Sequence, residues 1–459
     1  MNQPANPYEA PPAVENVHPQ LGASSGVFNQ AALNSARFKA YVRLLPLLFI
    51  CYVIAYIDRS NVAFAKLHMM DQLGFDEKQF GFGMGIFFFG YILLEIPGTL
   101  LVERWSASKW ISRIMISWGI VAALTAWVTQ PWHFYGIRFL LGVAEAGFFP
   151  GIIVYLTHWF PRADRTKALA WFFIGTPIAQ MISPPICAAL MSVEEPLWGL
   201  AGWQWVYVFW GIPAVILGLV VIFRLTDRPH QARWLTDDEK FALETTLQEE
   251  KKHVGGHGHM SIMQGLSNPK VLALAAAYFF VVTGNYGVEM YMASILEDWY
   301  KLKIQNVGWL VVIPPIGSII GQLLIGWNSD RTHERRYHAT LPIIMGAIAI
   351  ALAPFSNGYL WLTVLLFTIA MTGLKAYLPA FWALPSLFLT SSAAAASIGL
   401  INSFGNLGGW VGPSVIGYIK GQFNNYGYGL WFVSCSMLVS AAIIFALNVR
   451  AQTKTGEVR

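Results

Sequence analysis

Twelve apolar stretches, each about as long as the hydrocarbon core of a bilayer is thick, run through this chain of 459 residues. They lie at roughly 43–65, 79–102, 110–129, 132–158, 167–191, 204–224, 270–296, 306–328, 339–356, 360–388, 394–419 and 429–449, and are numbered here as spans 1 to 12. Lipid offers no partner for a bare peptide group, so each span is expected to be a helix. The fold class is therefore an all-α membrane protein. Only 12% of the residues are charged, about half the share of a soluble domain, and mean hydropathy is +0.49. The net charge of +5 is spread over short loops with no basic stripe, which argues against nucleic acid as a partner. Cys51, Cys187 and Cys435 sit in apolar runs and are expected to be free thiols.

The basic residues set the orientation. With both ends inside, the cytoplasmic segments hold 22 of the 30 Lys and Arg, the outer loops hold five, and three lie within spans. The positive-inside rule then gives a multi-pass inner-membrane protein with both termini cytoplasmic. Residues 1–36 lack the basic start and apolar core of a signal peptide and read as a disordered tail. Residues 37–224 form one six-helix bundle and 270–450 a second. A polar linker, 225–269, joins them, and 451–459 is a short tail. In the linker, Thr236-Asp237-Asp238-Glu239 has the pattern of a capping box. Its His253, His257 and His259 read as a Gly/His-rich loop rather than a metal site.

A repeat relates the two halves. After span 2 the chain carries Gly98, Glu103 and Arg104, and after span 8 it carries Gly326, Asp330 and Arg331. Each copy puts a glycine, an acid–Arg pair and further basic residues in the turn to the next helix. The glycine would allow close helix approach, and the acid would sit near a helix N-terminus. Two six-helix halves with this repeated loop resemble the major facilitator superfamily. The resemblance implies two pseudo-symmetric bundles rocking around a site near the midplane.

Seven ionisable residues other than histidine lie within spans: Asp58, Arg59, Glu95, Arg138, Glu145, Glu289 and Lys375. Intramembrane charges are functional candidates, with structural ion pairs or snorkelling as the alternative. Helical rise puts Arg59 of span 1 and Arg138 of span 4 at similar depth, and Glu145 about two turns from Arg138 on nearly the same face. Two guanidiniums suit a carboxylate, because arginine stays charged and offers a planar fork of donors. Asp58 and Glu145 are acids able to exchange protons beside it. Glu95, before Pro97, reads as part of a structural pair. Glu289 and Lys375 form a cross-helix pair, or Lys375 binds a second carboxylate of a dianionic substrate. Asn285-Tyr286-Gly287 reads as a break in span 7 that would offer unwound backbone to the site, and Pro184-Pro185 and Pro314-Pro315 read as kinks.

Four motifs sharpen the resemblance. Tyr56-Ile-Asp58-Arg59-Ser60-Asn61 in span 1, Arg138-Phe-Leu-Leu-Gly142-Val-Ala-Glu145-Ala-Gly147 in span 4, Gly202-Trp203-Gln204-Trp205 before span 6, and Asn402-Ser-Phe-Gly405-Asn406-Leu-Gly408-Gly409 in span 11 resemble the anion:cation symporter family of that superfamily. Glu103 stands where the family's loop has aspartate. The resemblance implies proton-driven import of a small organic anion: a sugar acid or hydroxydicarboxylate, with an aromatic carboxylate as the alternative. By motif, Arg59 and Arg138 would meet the anion and Asp58 and Glu145 would carry protons. Tyr56 and Tyr91 would line the cavity from one half, and Trp382 and Asn402 from the other. Tyr286 and Lys375 complete the candidate binding residues. The expected partners are the anion, protons and lipid, with a monomer as the working unit and neither cofactor nor metal.

A channel would call for a selectivity-filter loop, and an enzyme for a nucleophile, metal or phosphate-loop constellation. A sensor would call for an added soluble output domain. None of these is evident in the sequence. Exchange of one anion for another remains the rival within transport.

Overall fold

The computed structural model describes residues 29–104, 106–193, 198–254, 267–332, 334–385 and 391–447, and every regular element among them is a helix. Spans 1 to 3 are Gln30–Leu73, Glu77–Arg104 and Ala107–Leu124. Span 4 is Pro131–Glu145 followed by Phe148–Trp159, and spans 5 and 6 are Arg162–Met191 and Gly202–Arg224. Span 7 is Pro269–Tyr300, and span 8 is Ile304–Leu310 followed by Ile313–Thr332. Span 9 is Arg336–Leu352, and span 10 is Leu360–Ala376 followed by Leu378–Ala383. Spans 11 and 12 are Ser391–Phe423 and Tyr426–Ala446. Among the described residues, ten of these segments are long and apolar enough to cross a membrane. Spans 2 and 11, helices of 28 and 33 residues, make up the expected twelve.

The packing repeats between halves. Span 1 lies against spans 5 and 6, span 3 against 6, and span 4 against 2 and 3. Span 7 lies against 11 and 12, span 9 against 12, and span 10 against 8 and 9. The halves meet where span 2 packs on span 11 and span 5 on span 8, with span 1 touching span 7 between them.

Two local features of span 4 position the site. A Cβ added at Gly142 would stand 2.0 Å from the Phe87 carbonyl oxygen, and one at Gly90 would stand 2.2 Å from that of Phe139. Spans 2 and 4 therefore cross at backbone distance, which only glycine permits. Just beyond, the helix breaks: Ala146 is extended (φ −55, ψ 136) and Gly147 takes φ 80. The sequence pointed instead to a break at Asn285-Tyr286-Gly287, but span 7 runs on through it as one helix. The Asn285 amide donates to Glu289 Oε2 one turn ahead (3.2 Å), a bond made inside an intact helix. Pro184-Pro185 likewise lie inside one continuous helix, whereas Pro314-Pro315 open the second segment of span 8.

The span 1 helix begins at Gln30, within the stretch expected to be a tail. Asn29 caps it by accepting from the Ala31 and Ala32 amides. The linker helix, Asp237–Val254, docks on this entry segment. Glu239 accepts from Ser35 Oγ (2.6 Å) and Lys39 Nζ (2.7 Å), and closes the expected capping box with Thr236. Burial alone would raise the Glu239 carboxyl, but these donors hold it below its ordinary value. The three linker histidines lie outside the described residues and side chains.

At the face away from the linker the halves are closed. Lys66 of span 1 pairs with Glu77 of span 2 (2.8 Å), and both are clasped by the other half. Tyr426 donates to Glu77 Oε1 (3.0 Å), and the Lys66 ammonium lies 4.1 Å from the Tyr291 ring centroid. Lys66, expected in an outer loop, is thus buried inside the span 1 helix.

Candidate functional site

Arg59 stands at the centre of the bundle. Its Nη2 forms an ion pair with Glu145 of span 4, and its Nη1 donates to the Tyr286 hydroxyl of span 7 at 3.3 Å. One guanidinium therefore joins span 1, span 4 and the opposite half. Tyr91, Phe87 and Tyr56 surround it, with ring centroids 5.1, 5.3 and 5.9 Å from Cζ. The aromatic wall crosses between halves: Phe88 and Tyr286 meet edge-on at 4.6 Å.

Arg138 shares the Phe87 ring, with its Cζ 5.0 Å from the centroid, so the two arginines flank one phenylalanine. Their exposures differ. Arg59 keeps 15% of its side chain open, while Arg138 is fully buried and none of its three guanidinium nitrogens has a hydrogen-bond partner among the described residues. It lies within electrostatic reach of Asp58, Glu145 and the Tyr207 hydroxyl. An uncompensated cation in such a place costs several kcal/mol, so these neighbours matter.

Asp58 faces away from Arg59. It accepts from Trp118 Nε1 (2.7 Å) and Asn61 Nδ2 (3.1 Å) against span 3, and is 2% exposed. In the other half, Lys375 Nζ lies 3.5 Å from Glu289 Oε2 and 5.7 Å from the Tyr56 ring. Trp382 is a step away, packed on Tyr278 at 5.0 Å. Asn402 is bonded to Glu95: its amide and the Ser403 hydroxyl both donate to that carboxylate (2.5 and 2.9 Å), tying span 11 to span 2. Glu95 thus takes part in a structural contact, accepting neutral donors from the other half.

The structure brings together Arg59, Glu145, Tyr56, Tyr91 and Tyr286, with Glu289 and Lys375 adjoining. It sets Arg138 and Asp58 one layer behind. Residues 48–413 match the Major Facilitator Superfamily. The chain belongs to that family. Its members are transporters, which makes this chain a transport protein of the inner membrane rather than an enzyme. A relative of Agrobacterium vitis named for tartrate transport is 41% identical over 92% of this chain and 96% of its own length. The metabolite transport protein NicT of Pseudomonas putida is 38% identical over 89% of this chain and 93% of its own. Among solved structures, the xylose transporter XylE of E. coli in an inward-open conformation superposes with a TM-score of 0.71. It is 14% identical and covers 91% of this chain and 98% of that one.

The major-facilitator loop after span 8 is built differently from the simple expectation. The side chains of Glu103 and Arg104, and the surroundings of Gly98, lie outside the described residues. After span 8, Asp330 pairs with Arg335 (2.6 Å) and Arg331 lies over Trp327. The acid at the N-terminus of span 9 is Glu334, which accepts from the Tyr337 (2.8 Å) and His338 amides. Burial would raise its carboxyl; those bonds hold it low. Asp227 serves span 3 in the same way through Ser106 and Ser108. A Cβ at Gly326 would meet Pro379 at 3.6 Å, an ordinary contact, so close approach does not require that glycine.

Sequence reasoning missed Trp118, Phe87 and Tyr278. Nothing in an isolated aromatic within an apolar run marks it as a neighbour of a distant charge.

Proposed function

We propose that this transporter imports a small organic carboxylate together with protons, exposing one central site alternately to the two faces of the membrane. The positive-inside count supports placing the linker and both termini in the cytoplasm. In this reading the working unit is a monomer.

The observation that carries the reading is the Arg59–Glu145 pair, joined to Tyr286 across the halves. An arriving carboxylate competes with Glu145 for the Arg59 fork. A buried carboxylate that loses its cation is costly, so Glu145 takes a proton as the anion takes the arginine. Anion and proton thereby load together. When the site opens to the other face and the anion leaves, Arg59 recaptures Glu145 and the proton is released. Arg138 holds positive charge behind Phe87 and meets the anion directly once that ring has turned. Asp58, bonded to Trp118 and Asn61, is the second proton-exchanging acid. Tyr56 and Tyr91 line the site, with Trp382 and Asn402 on the opposite wall.

Two charge-fork positions among hydroxyl donors suit a sugar acid or hydroxydicarboxylate, and the relative named for tartrate transport favours that class. The aromatic wall keeps an aromatic carboxylate as the second reading. The test is uptake into proteoliposomes under an imposed pH gradient. The panel is glycerate, gluconate, benzoate and nicotinate as monoacids, with succinate, malate and tartrate as diacids. At least one carboxylate accumulates with the gradient. Arg59→Ala and Arg138→Ala each reduce uptake at least a hundredfold. Glu145→Gln keeps binding and counterflow but loses gradient-driven accumulation. Wild-type rates in Arg138→Ala refute its place in the site. Gradient-driven accumulation that survives neutralising both Asp58 and Glu145 refutes their role as proton carriers, and uptake that persists in that variant but needs a counter-anion inside the vesicle favours anion exchange.

A further inference from the structure

The Lys375–Glu289 pair is a repeat of the Arg59–Glu145 pair with its signs exchanged. By packing, span 1 corresponds to span 7 and span 4 to span 10. Arg59 and Glu289 sit on the first of each couple, and Glu145 and Lys375 on the second. The match is close along span 4 and span 10. Glu145 is the fifteenth residue of Pro131–Glu145, and Lys375 the sixteenth of Leu360–Ala376. Each stands at the end of its segment, where the span breaks and a second helix begins, Phe148–Trp159 in one half and Leu378–Ala383 in the other. Each half thus carries one cation–acid pair between its first and fourth helices.

The two pairs share surroundings. The Tyr56 ring stands 5.9 Å from Arg59 Cζ and 5.7 Å from Lys375 Nζ, so one tyrosine lies beside both cations. Tyr286, which accepts from Arg59, is three residues before Glu289 on the same helix. The Lys375–Glu289 separation of 3.5 Å is longer than a direct charge-assisted bond of about 2.8 Å, so the pair is loosely held. Glu289 also borders a hollow of about 30 Å³ between the halves, shared with Ser60, Gln180 and Ser183. That is room for one water. The Gln180 amide is buried there with neither polar atom bonded among the described residues.

We propose that Lys375 and Glu289 form a second carboxylate subsite with its own proton, so that the transported species is a short diacid. The inference rests on the carboxylate–proton reading above. One carboxylate takes Arg59 from Glu145 and the other takes Lys375 from Glu289. Each displaced acid binds a proton from the water on the loading side. The dianion and two protons cross together with no net charge, and both protons leave when the acids regain their cations. The groups facing Glu289 are Lys375 from span 10, Tyr56 from span 1, and Asn285 and Tyr286 from its own helix.

The experiment compares each diacid of the panel that accumulates with its half-amide, which keeps the shape and loses one carboxylate. Proton flux per solute is measured with a pH dye inside the vesicles. Wild type moves two protons per diacid and one per half-amide. Lys375→Met loses at least a hundredfold in diacid uptake while half-amide uptake stays within about threefold, and the retained uptake shows that the variant folds. Glu289→Gln drops the ratio for the diacid to one, and its transport then responds to an imposed potential. Equal losses of diacid and half-amide in Lys375→Met overturn the proposal, as does a ratio left at its wild-type value in Glu289→Gln. A panel in which only monoacids accumulate overturns it too, while leaving proton-coupled carboxylate import intact. Failure of every carboxylate to accumulate sinks the underlying reading instead.

Discussion

At the scale of single residues, intramembrane charge was the part of the site most legible in the sequence, because ionisable groups are so costly in lipid that each stands out. Arg59, Glu145, Glu289 and Lys375 could be picked out one by one from their apolar surroundings. What each one touches could not be picked out. Asp58 is next to Arg59 in sequence, yet successive residues on a helix point about 100° apart, and the two carry different partners. Asp58 turns to the Trp118 indole of span 3, and only a folded bundle reveals that contact. Trp118→Phe removes the donor and keeps the ring. A hydrogen bond to an ionisable group of this kind contributes about 1.5–3 kcal/mol. The variant is expected to melt several degrees lower in detergent by scanning fluorimetry, with the loss absent when Asp58 is already replaced by alanine, which has no acceptor for the indole. An unchanged melting temperature in the Asp58-containing protein would show that the indole does not hold the carboxyl.

At the scale of elements, the existence and order of the spans were readable from length and hydropathy, since lipid leaves a long apolar segment little choice but a helix. The breaks were not. Asn285-Tyr286-Gly287 has the composition of a break, but Asn285 finds its partner within the helix and Gly287 is packed against Val433 and Ile416. Ala146-Gly147 looks like ordinary small-residue packing and is the place where span 4 comes apart. The crossing of spans 2 and 4 gives a direct comparison along one helix. Gly136 has open space around its missing Cβ, and Gly142 has the Phe87 carbonyl at 2.0 Å. Gly136→Ala is expected to leave thermal stability unchanged. Gly142→Ala forces spans 2 and 4 apart, an overpacking cost of about 1–3 kcal/mol, and it shifts Phe87 away from both arginines. Thermal melting reads the first effect and the uptake rate reads the second. Equal behaviour of the two variants would mean that the backbone crossing does not position the site.

At the scale of the whole molecule, alternating access requires the contacts that close one face to break as the halves rock. The closed face away from the linker is held by a small number of groups. Lys66 and Glu77 belong to one half, and both are gripped by tyrosines of the other, Tyr291 under the ammonium and Tyr426 on the carboxylate. Lys420 and Asp298 pair within the second half at the same face (2.8 Å). Glu77→Gln takes away the partner of a buried lysine. Removing one member of a buried ion pair costs about 3–5 kcal/mol, and here the penalty falls only on the closed conformation, because opening gives Lys66 water instead. The equilibrium is therefore expected to shift toward the state open on this side. A cysteine placed at Ala63, which borders the hollow beside Glu289, reports that shift in a background lacking the three native cysteines. In vesicles with this face outward, a charged membrane-impermeant maleimide is expected to label Ala63→Cys slowly in the parent and at least tenfold faster when Glu77→Gln is added. Tyr426→Phe, which removes one hydrogen bond and no charge, is expected to give a smaller increase. Identical labelling in all three would mean that closure is carried by the glycine-lined packing of spans 2 and 11, with the Lys66–Glu77 pair a passenger in it.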